Sequence, residues 1–322
     1  MKFFLALALS FLCLVGCQKS SKPNALNAWM GEMEKVKVLS TTAMVEDLVT
    51  SVGGDEIVSL TLIKGEVDPH SYELVKGDGE KFECADLIYC NGLGLEHGAS
   101  VRTQLERHQS AVFIGDRIAE RVPEKILESD GVRDPHLWMD ISLWVEGVDA
   151  IVEGLVKQRP GKKEYFELRA AALKAKMRAK HQELRGSLME VPEKSRYLVT
   201  SHDAFHYFTR AYLAEGGQWE ERCAAPEGLA PDGQLSSSDI QRIVDHLCQF
   251  HIPVVFPESN VSRDSLKKIV SACNSKGLKV SICEESLYGD AMGEASDYLN
   301  MMEHNAKTIR AGWEGCDERA CH

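Results

Sequence analysis

Short apolar runs alternate along the chain with longer stretches in which apolar residues recur every third or fourth position. Runs of aliphatic and β-branched residues bounded by turn formers read as strands, and the 3.6-residue period reads as helix. In the first half, VKVLSTT (36–42), IVSLTLI (57–63), DLIYCNG (86–92) and AVFIGD (111–116) are strands on this reading, with helices such as 43–52 and 95–107 between them. That alternation is the pattern of parallel βαβ units. A further amphipathic helix covers 141–158 and stops before Arg159-Pro160-Gly161, because proline disfavours helical backbone in the residue ahead of it.

Residues 162–190, KKEYFELRAAALKAKMRAKHQELRGSLME, are rich in strong helix formers. As one helix they would run ~40 Å at 1.5 Å per residue. Sustained a/d heptads are lacking, so a rigid helix linking two lobes is preferred over a coiled coil. After Pro192 the alternation resumes. RYLVTS (196–201), a short strand near 219–224, PVVFPE (253–258) and LKVSICEE (278–285) are separated by helices at about 203–214, 236–250 and 262–276, with a Gly/Pro/Ser loop at 225–238. The expected fold is α/β, with two lobes joined by one long backbone helix. Each lobe carries a roughly four-stranded, mostly parallel sheet flanked by helices. The expected boundaries are 35–160 for the N-terminal lobe, 161–190 for the linker helix and 191–322 for the C-terminal lobe.

The N-terminus changes where this molecule is expected to work. MKFFLALALSFLCLVGC sets Lys2 before an apolar run that is too short and wrongly flanked to span a membrane, and it reads as a secretory signal over 1–16. Leu14-Val15-Gly16-Cys17 resembles the bacterial lipobox, which makes Cys17 the lipidation site and 17–34 a polar, lipidated tether. The expectation is a lipoprotein of the periplasm or cell surface, held to the membrane only by its anchor. The 306 residues left after cleavage can bury a large core. Net charge is −12, and −13 once Lys2 leaves. An acidic surface argues against nucleic acid and suits traffic in cations. Eight of the ten cysteines follow Cys17, with no C-x-x-C pair of the zinc-ribbon kind. Disulfides are permitted in that compartment, their pairing is left open, and the cysteines are not read as the site.

The chemistry gathers instead around a repeated tripeptide. Asp-Pro-His occurs in VDPHSYEL (67–74) and again in RDPHLWMD (133–140). Proline stiffens each turn, so little entropy is lost when its histidine is pinned. In open α/β sheets ligands sit beyond the carboxyl ends of strands. His70 follows the second strand, His136 precedes a helix, His202 follows RYLVTS directly, and Asp290 lies just past the last strand. Three imidazoles and one carboxylate form a four-ligand set for one divalent transition metal ion. Asp68 and Asp134 are placed to orient the rings or to cap the turns. His206 could share the face of His202, as second shell or packing, and Glu258 ends PVVFPE on the same rim as a near-site residue or alternative oxygen ligand. His181 lies in the long charged helix and reads as solvated. His97, His108, His246, His251 and His304 lie on helices or helix ends without a paired turn, and His322 is the terminus.

These motifs carry a resemblance. DPHSYE around His70, NGLGLE at 91–96, DPHLWMD around His136, SHDAFHYF around His202, VVFPES ending at Ser259 and LYGDAMG around Asp290 are similar in order and spacing to the cluster A-I, TroA- and YtgA-like, solute-binding proteins of metal ABC importers. The resemblance covers nearly all of the mature chain. It implies two α/β lobes joined by a single long helix, a metal held between them by His70, His136, His202 and Asp290, and delivery to an ABC permease by a monomer. Two departures pull apart. Residues 64–69 are only KGEVDP, where many zinc-dedicated relatives carry a loop rich in histidine and acids; His202 stands where manganese-type relatives often have Glu. Zinc, manganese and iron therefore all remain as cargo. Competing readings are a surface adhesin or interaction lipoprotein, a siderophore or cobalamin receptor, and a zinc hydrolase. A siderophore or cobalamin receptor would have no need of three histidines converging with an aspartate. A hydrolase would normally set a base beside the ligands, as in H-E-x-x-H, which is absent. Affinity is expected to fall below about pH 6 as the histidines charge.

Overall fold

Four parallel strands, β1 (Val36–Ser40), β2 (Ile57–Thr61), β3 (Leu87–Cys90) and β4 (Ala111–Phe113), pair in the order β2-β1-β3-β4 and frame the N-terminal lobe. The structure, a computed structural model, describes residues 25–129, 131–231 and 235–320; the signal segment and Cys17 lie outside the described residues. The lobe's helices are α1 (Ala25–Met30), α2 (Ala43–Gly53), α3 (Asp78–Cys84), α4 (Ala99–Arg107), α5 (Ile114–Arg121), α6 (Ile141–Trp144) and α7 (Val148–Gln158). Both faces of β1 and β3 are covered, which is why Leu87, Ile88, Tyr89 and Cys90 are apolar without alternation and all buried. Strand order reverses around β1, so the crevice between the carboxyl ends of β1 and β3 is the natural ligand position.

Several elements depart from the sequence pattern. Residues 91–98 form a loop, and α4 starts only at Ala99, because the buried Glu96 carboxylate accepts the Asn91 and Gly92 backbone N–H groups and the Thr41 hydroxyl. The run at 111–116 breaks after Phe113 directly into α5. The helix expected at 141–158 is two helices, with a 3₁₀ turn at Val145–Gly147 between them. Part of the segment read as tether is docked: α1 buries Trp29, whose Nε1 donates to Val58 O at 3.0 Å.

A small hairpin, β5 (Glu128–Ser129) and β6 (Val132–Arg133), precedes the second Asp-Pro-His turn. The long helix α8 runs from Lys163 to Met189, 27 residues. Its buried residues Phe166, Ala170, Leu173, Met177, Leu184 and Leu188 lie along one stripe. Burial of each large apolar side chain contributes roughly 1.5–3 kcal/mol, more than helix propensity supplies.

In the C-terminal lobe the four expected strands shrink to two residues each. They are β7 (Leu198–Val199), β8 (Cys223–Ala224), β9 (Val254–Val255) and β10 (Ser281–Ile282). β7 pairs with β8 and β9 with β10, all parallel, and Phe256 N–H donates to Val199 O at 2.8 Å to join the two pairs. Helices α9 (His206–Tyr212), α10 (Ser237–Phe250), α11 (Asp264–Ser275) and α12 (Tyr298–Ala320) complete the lobe. A capping box between Ser236 and Asp239 starts α10.

One apolar core runs through both lobes. It joins Val38 and Tyr89 of the first sheet to Trp138 and Trp144, to the buried stripe of α8, and to Phe205, Phe256, Tyr298 and Ile309 of the second lobe. Two smaller clusters cover the outer faces, one around Leu39, Phe82 and Ile88 and one around Val199, Val255 and Leu266.

Candidate metal centre

His70 arrives from the turn after β2, His136 from the turn before the 3₁₀ segment Leu137–Met139, His202 directly after β7, and Asp290 from the loop after β10. One donor atom from each lies within 4.8 Å of the others, and all four residues are buried. The Nε2 atoms of His70 and His136 are 3.2 Å apart. Asp290 reaches the Nε2 of His202 at 3.1 Å, of His136 at 3.4 Å and of His70 at 3.8 Å. Tetrahedral bonds of 2.0–2.1 Å would set donors ~3.3 Å apart, so these separations fit one ion at the centre. His202 Nε2 and Asp290 Oδ1 have no hydrogen-bond partner although both are buried, a cost that coordination would remove.

A second layer of side chains braces the donors: carboxylates stand behind two of the imidazoles and an amide meets Asp290. Asp134 is fully buried and accepts the His136 backbone N–H at 2.9 Å and lies 2.7 Å from its ring Nδ1. Its other oxygen lies 3.1 Å from His206 Nδ1. Glu258 accepts the backbone N–H groups of Ser201 and His202 at 3.0 and 2.9 Å. Its second oxygen stands 2.8 Å from His202 Nδ1 but off the N–H direction, so that contact is electrostatic before it is a directed hydrogen bond. Gly289 makes room for this pair, since a Cβ there would stand 2.2 Å from Glu258 Oε2. Asn260 Nδ2 donates to Asp290 at 3.3 Å. Asp68 differs from Asp134: it accepts the His70 backbone N–H at 2.8 Å and the Ser71 hydroxyl, and caps the turn without holding the ring.

Burial opposes charge on every one of these groups, and the neighbours decide the outcome. For His70 burial wins, helped by repulsion from His136 and His202, and holds the imidazole down to about 4. For His202 burial is overcome by Glu258 and Asp290, which hold it well above the imidazole range. Asp134 and Asp290 likewise raise His136 against its burial. Asp290, despite burial, is kept well below the carboxylate range by His202, His136 and His70. A cation entering this set must therefore displace imidazole protons, above all that of His202.

The structure gathers His70, His136, His202 and Asp290 and places Asp134, His206 and Glu258 directly behind them. It corrects two expectations. His181 is not a solvated helix residue: it is half-buried, with Nδ1 3.0 Å from Tyr212 Oη. His97 lies in the loop ahead of α4, its ring 5.5 Å from that of His70. Sequence reasoning passed over Asn260, whose signal was its position two residues past Glu258, and Trp138, whose ring packs 5.2 Å from His136 and whose Nε1 donates to Gly289 O across the lobes. No cysteine among the described residues joins the cluster. A cavity of about 630 Å³, lined by Asp203, Glu227 and Arg242 among others, opens nearby, and none of the four donors lines it.

Comparison with known proteins places this geometry in context. The model of the family described as zinc-uptake complex component A, periplasmic (ZnuA), matches residues 38–312. Over 303 residues the chain is 40% identical to the metal-binding protein YtgA of Chlamydia muridarum, 92% of each being covered. The crystal structure of Fe(III)-bound YtgA from Chlamydia trachomatis superposes with a TM-score of 0.81 at 38% identity, covering 86% of this chain and 97% of that one. The periplasmic zinc-binding protein TroA of Treponema pallidum superposes with a TM-score of 0.78 at 31% identity, covering 86% and 98%.

Proposed function

The chain belongs to the ZnuA family of periplasmic zinc-uptake components, and from that premise we propose that it captures one transition-metal ion between its lobes and delivers it to an ABC-type permease. The observation that carries this reading is the convergence of four buried donors from two lobes within 4.8 Å. His70, His136 and His202 supply nitrogen and Asp290 supplies oxygen. Asp134 and Glu258 orient two of the rings, as partners behind metal-bound histidines do, and His206 and Asn260 steady the two carboxylates. Asp68 acts only on its turn.

The donor set is borderline in hardness and serves zinc, iron and manganese. The similar proteins span this range, one solved with Fe(III) and another described as zinc-binding. Transport without chemistry on the cargo follows from the same geometry. A zinc hydrolase leaves a position open to water and sets a base beside it. Here four donors make a complete set, and the neighbouring carboxylates are engaged by histidines.

No helix among the described residues is long and apolar enough to cross a membrane. An extracytoplasmic monomer, cleaved after residue 16 and anchored through lipid on Cys17, accords with the leader. In this reading residues 35–160 and 191–322 are the two lobes and 161–190 their connecting helix. Release needs only a small movement, because α8 and the shared core resist wide opening.

Elemental analysis of protein purified from its native envelope, beside His136→Ala and His202→Ala proteins, tests the proposal. About one transition-metal atom per chain, lost in both variants, is expected; equal metal content in all three would overturn it. Because His202 holds its proton above the usual range, affinity should keep rising through and above neutral pH, rather than level off above about pH 6 as ordinary imidazoles would have it.

A further inference from the structure

Asp290 is the one oxygen donor among the four, and it stands on a loop. That loop is last tied to the sheet side at Leu287, whose N–H donates to Pro257 O at 2.8 Å and whose O accepts the Ser259 N–H at 2.9 Å. Beyond Leu287 it is helix α12 that meets the chain. Asn305, fully buried, accepts the Tyr288 backbone N–H on Oδ1 at 2.8 Å and donates from Nδ2 to Tyr288 O at 2.9 Å. A backbone N–H only donates and a carbonyl only accepts, so the amide has a single orientation. One side chain therefore fixes the peptide on each side of Tyr288, two residues ahead of Asp290.

His304 adds two further holds. Its Nε2 donates to Ser286 O at 2.9 Å, and its ring stacks on that of Tyr288, with centroids 4.2 Å apart and planes 15° from parallel. Gly293 folds the loop back over the same ring: its φ is +53°, and a Cβ there would stand 2.0 Å from Tyr288 Cε1. The helix that carries Asn305 and His304 is itself referenced to the rest of the molecule. Arg310 Nη1 donates to Ser187 O at 2.9 Å and meets Glu190 at 2.8 Å, and Lys180 reaches Glu303 at 2.8 Å. The Tyr298 hydroxyl donates to Trp138 O, two residues past His136. The oxygen donor is thus set by α12 on the same frame that carries a nitrogen donor of the other lobe.

We propose that Asn305 is a positioning residue for Asp290 and, through it, a determinant of which ion the centre prefers. Carboxylate oxygen suits Mn²⁺, whereas imidazole nitrogen suits Zn²⁺, which keeps three such donors whatever Asp290 does. Releasing the Tyr288 backbone shifts the carboxylate, so the hold on Mn²⁺ weakens more than the hold on Zn²⁺. This inference rests on the capture reading of the four-donor centre.

The test is competition against a chromophoric chelator, with Zn²⁺ and Mn²⁺ in turn, on the full-length chain. Asn305→Leu keeps the volume and removes both bonds. It should lose roughly ten-fold in affinity for Zn²⁺ and roughly a hundred-fold for Mn²⁺, the two ends of the range for a lost supporting residue. In an Asp290→Ala background the same substitution should change zinc affinity by less than about two-fold, because the group it acts through is gone. His304→Phe keeps a ring against Tyr288 and drops the bond to Ser286 O; it should shift the zinc-to-manganese ratio the same way by less. Equal losses for the two ions, or the same zinc loss with and without Asp290, would overturn the proposal and leave Asn305 a residue of the fold alone. If Asn305→Leu does not fold, an unmoved ratio in His304→Phe overturns it. Zinc bound as tightly by His202→Ala as by wild type would instead overturn the capture reading itself.

Discussion

In the turn at 134–136 the aspartate is fully buried and grips its histidine twice, at the backbone N–H and at ring Nδ1. In the turn at 68–70 the aspartate is partly exposed and grips the backbone N–H alone. The tripeptide is the same, and the imidazoles shift in opposite directions. Asp134 overcomes the burial of His136 and raises it, whereas His70, whose ring has Asp290 only at 3.8 Å, is carried by burial down to about 4. Stiff turn geometry sets where a histidine stands. What lies behind the ring sets which way its affinity for a proton moves.

The largest effect that could break this contrast is at the ligands and their props. His136→Ala should cost more than roughly a hundred-fold in affinity for zinc, beyond the ten- to hundred-fold of a lost supporting residue. His70→Ala should cost less, since the three remaining donors are still oriented; equal losses in competition against a chromophoric chelator would erase the distinction. Next, Asp134→Asn should weaken binding by roughly ten- to a hundred-fold. It also leaves His206 with Asp203 alone, 3.5 Å from its Nε2, so stability by chemical denaturation should fall by less than the roughly 3–5 kcal/mol of a fully stranded buried charge.

Acid and base should then act on the two turns with opposite sign. His70 has a folded value of about 4 against an ordinary 6.5. Its contribution to the metal-free fold is complete above about pH 6.5 and lost as pH falls through 4, up to about 3 kcal/mol by linkage. His206, behind the other turn, is raised against its burial to about 10 by Asp134 and Asp203. Its contribution is complete below about pH 6.5 and lost as pH rises through 10. Melting curves against pH should therefore flatten on the acid side in His70→Gln and on the alkaline side in His206→Gln; the reverse pattern would refute the assignment. The smallest effect belongs to Asp68→Ala, about 1 kcal/mol of stability for a lost cap with zinc affinity nearly that of wild type.

Much of this was legible in the sequence. Parallel strands with both faces covered leave unalternated apolar runs, and α8 announces itself by composition and length. The four donors could be placed because each follows a strand end or a proline turn. What could not be read depends on contacts far apart in the chain. Glu96 folds 91–98 into a loop through Thr41, His181 is drawn inward by Tyr212, and Asp68 and Asp134 look alike until the second lobe buries one of them, through His206 and Tyr207. The C-terminal strands read as full-length because their apolar runs continue past the pairing, through Phe256 and Val280, into the core and its outer cluster.

The apolar core that passes from the first sheet through α8 to α12 makes the two lobes one thermodynamic unit. With its largest core shared between the halves, the chain should melt in a single calorimetric peak. Cargo binding then reaches every residue: an ion at a thousand times its dissociation constant adds about 4 kcal/mol to the whole. Heat resistance thereby becomes a gauge of loading, and whatever partner draws the ion out has to work against the cooperativity of the entire molecule.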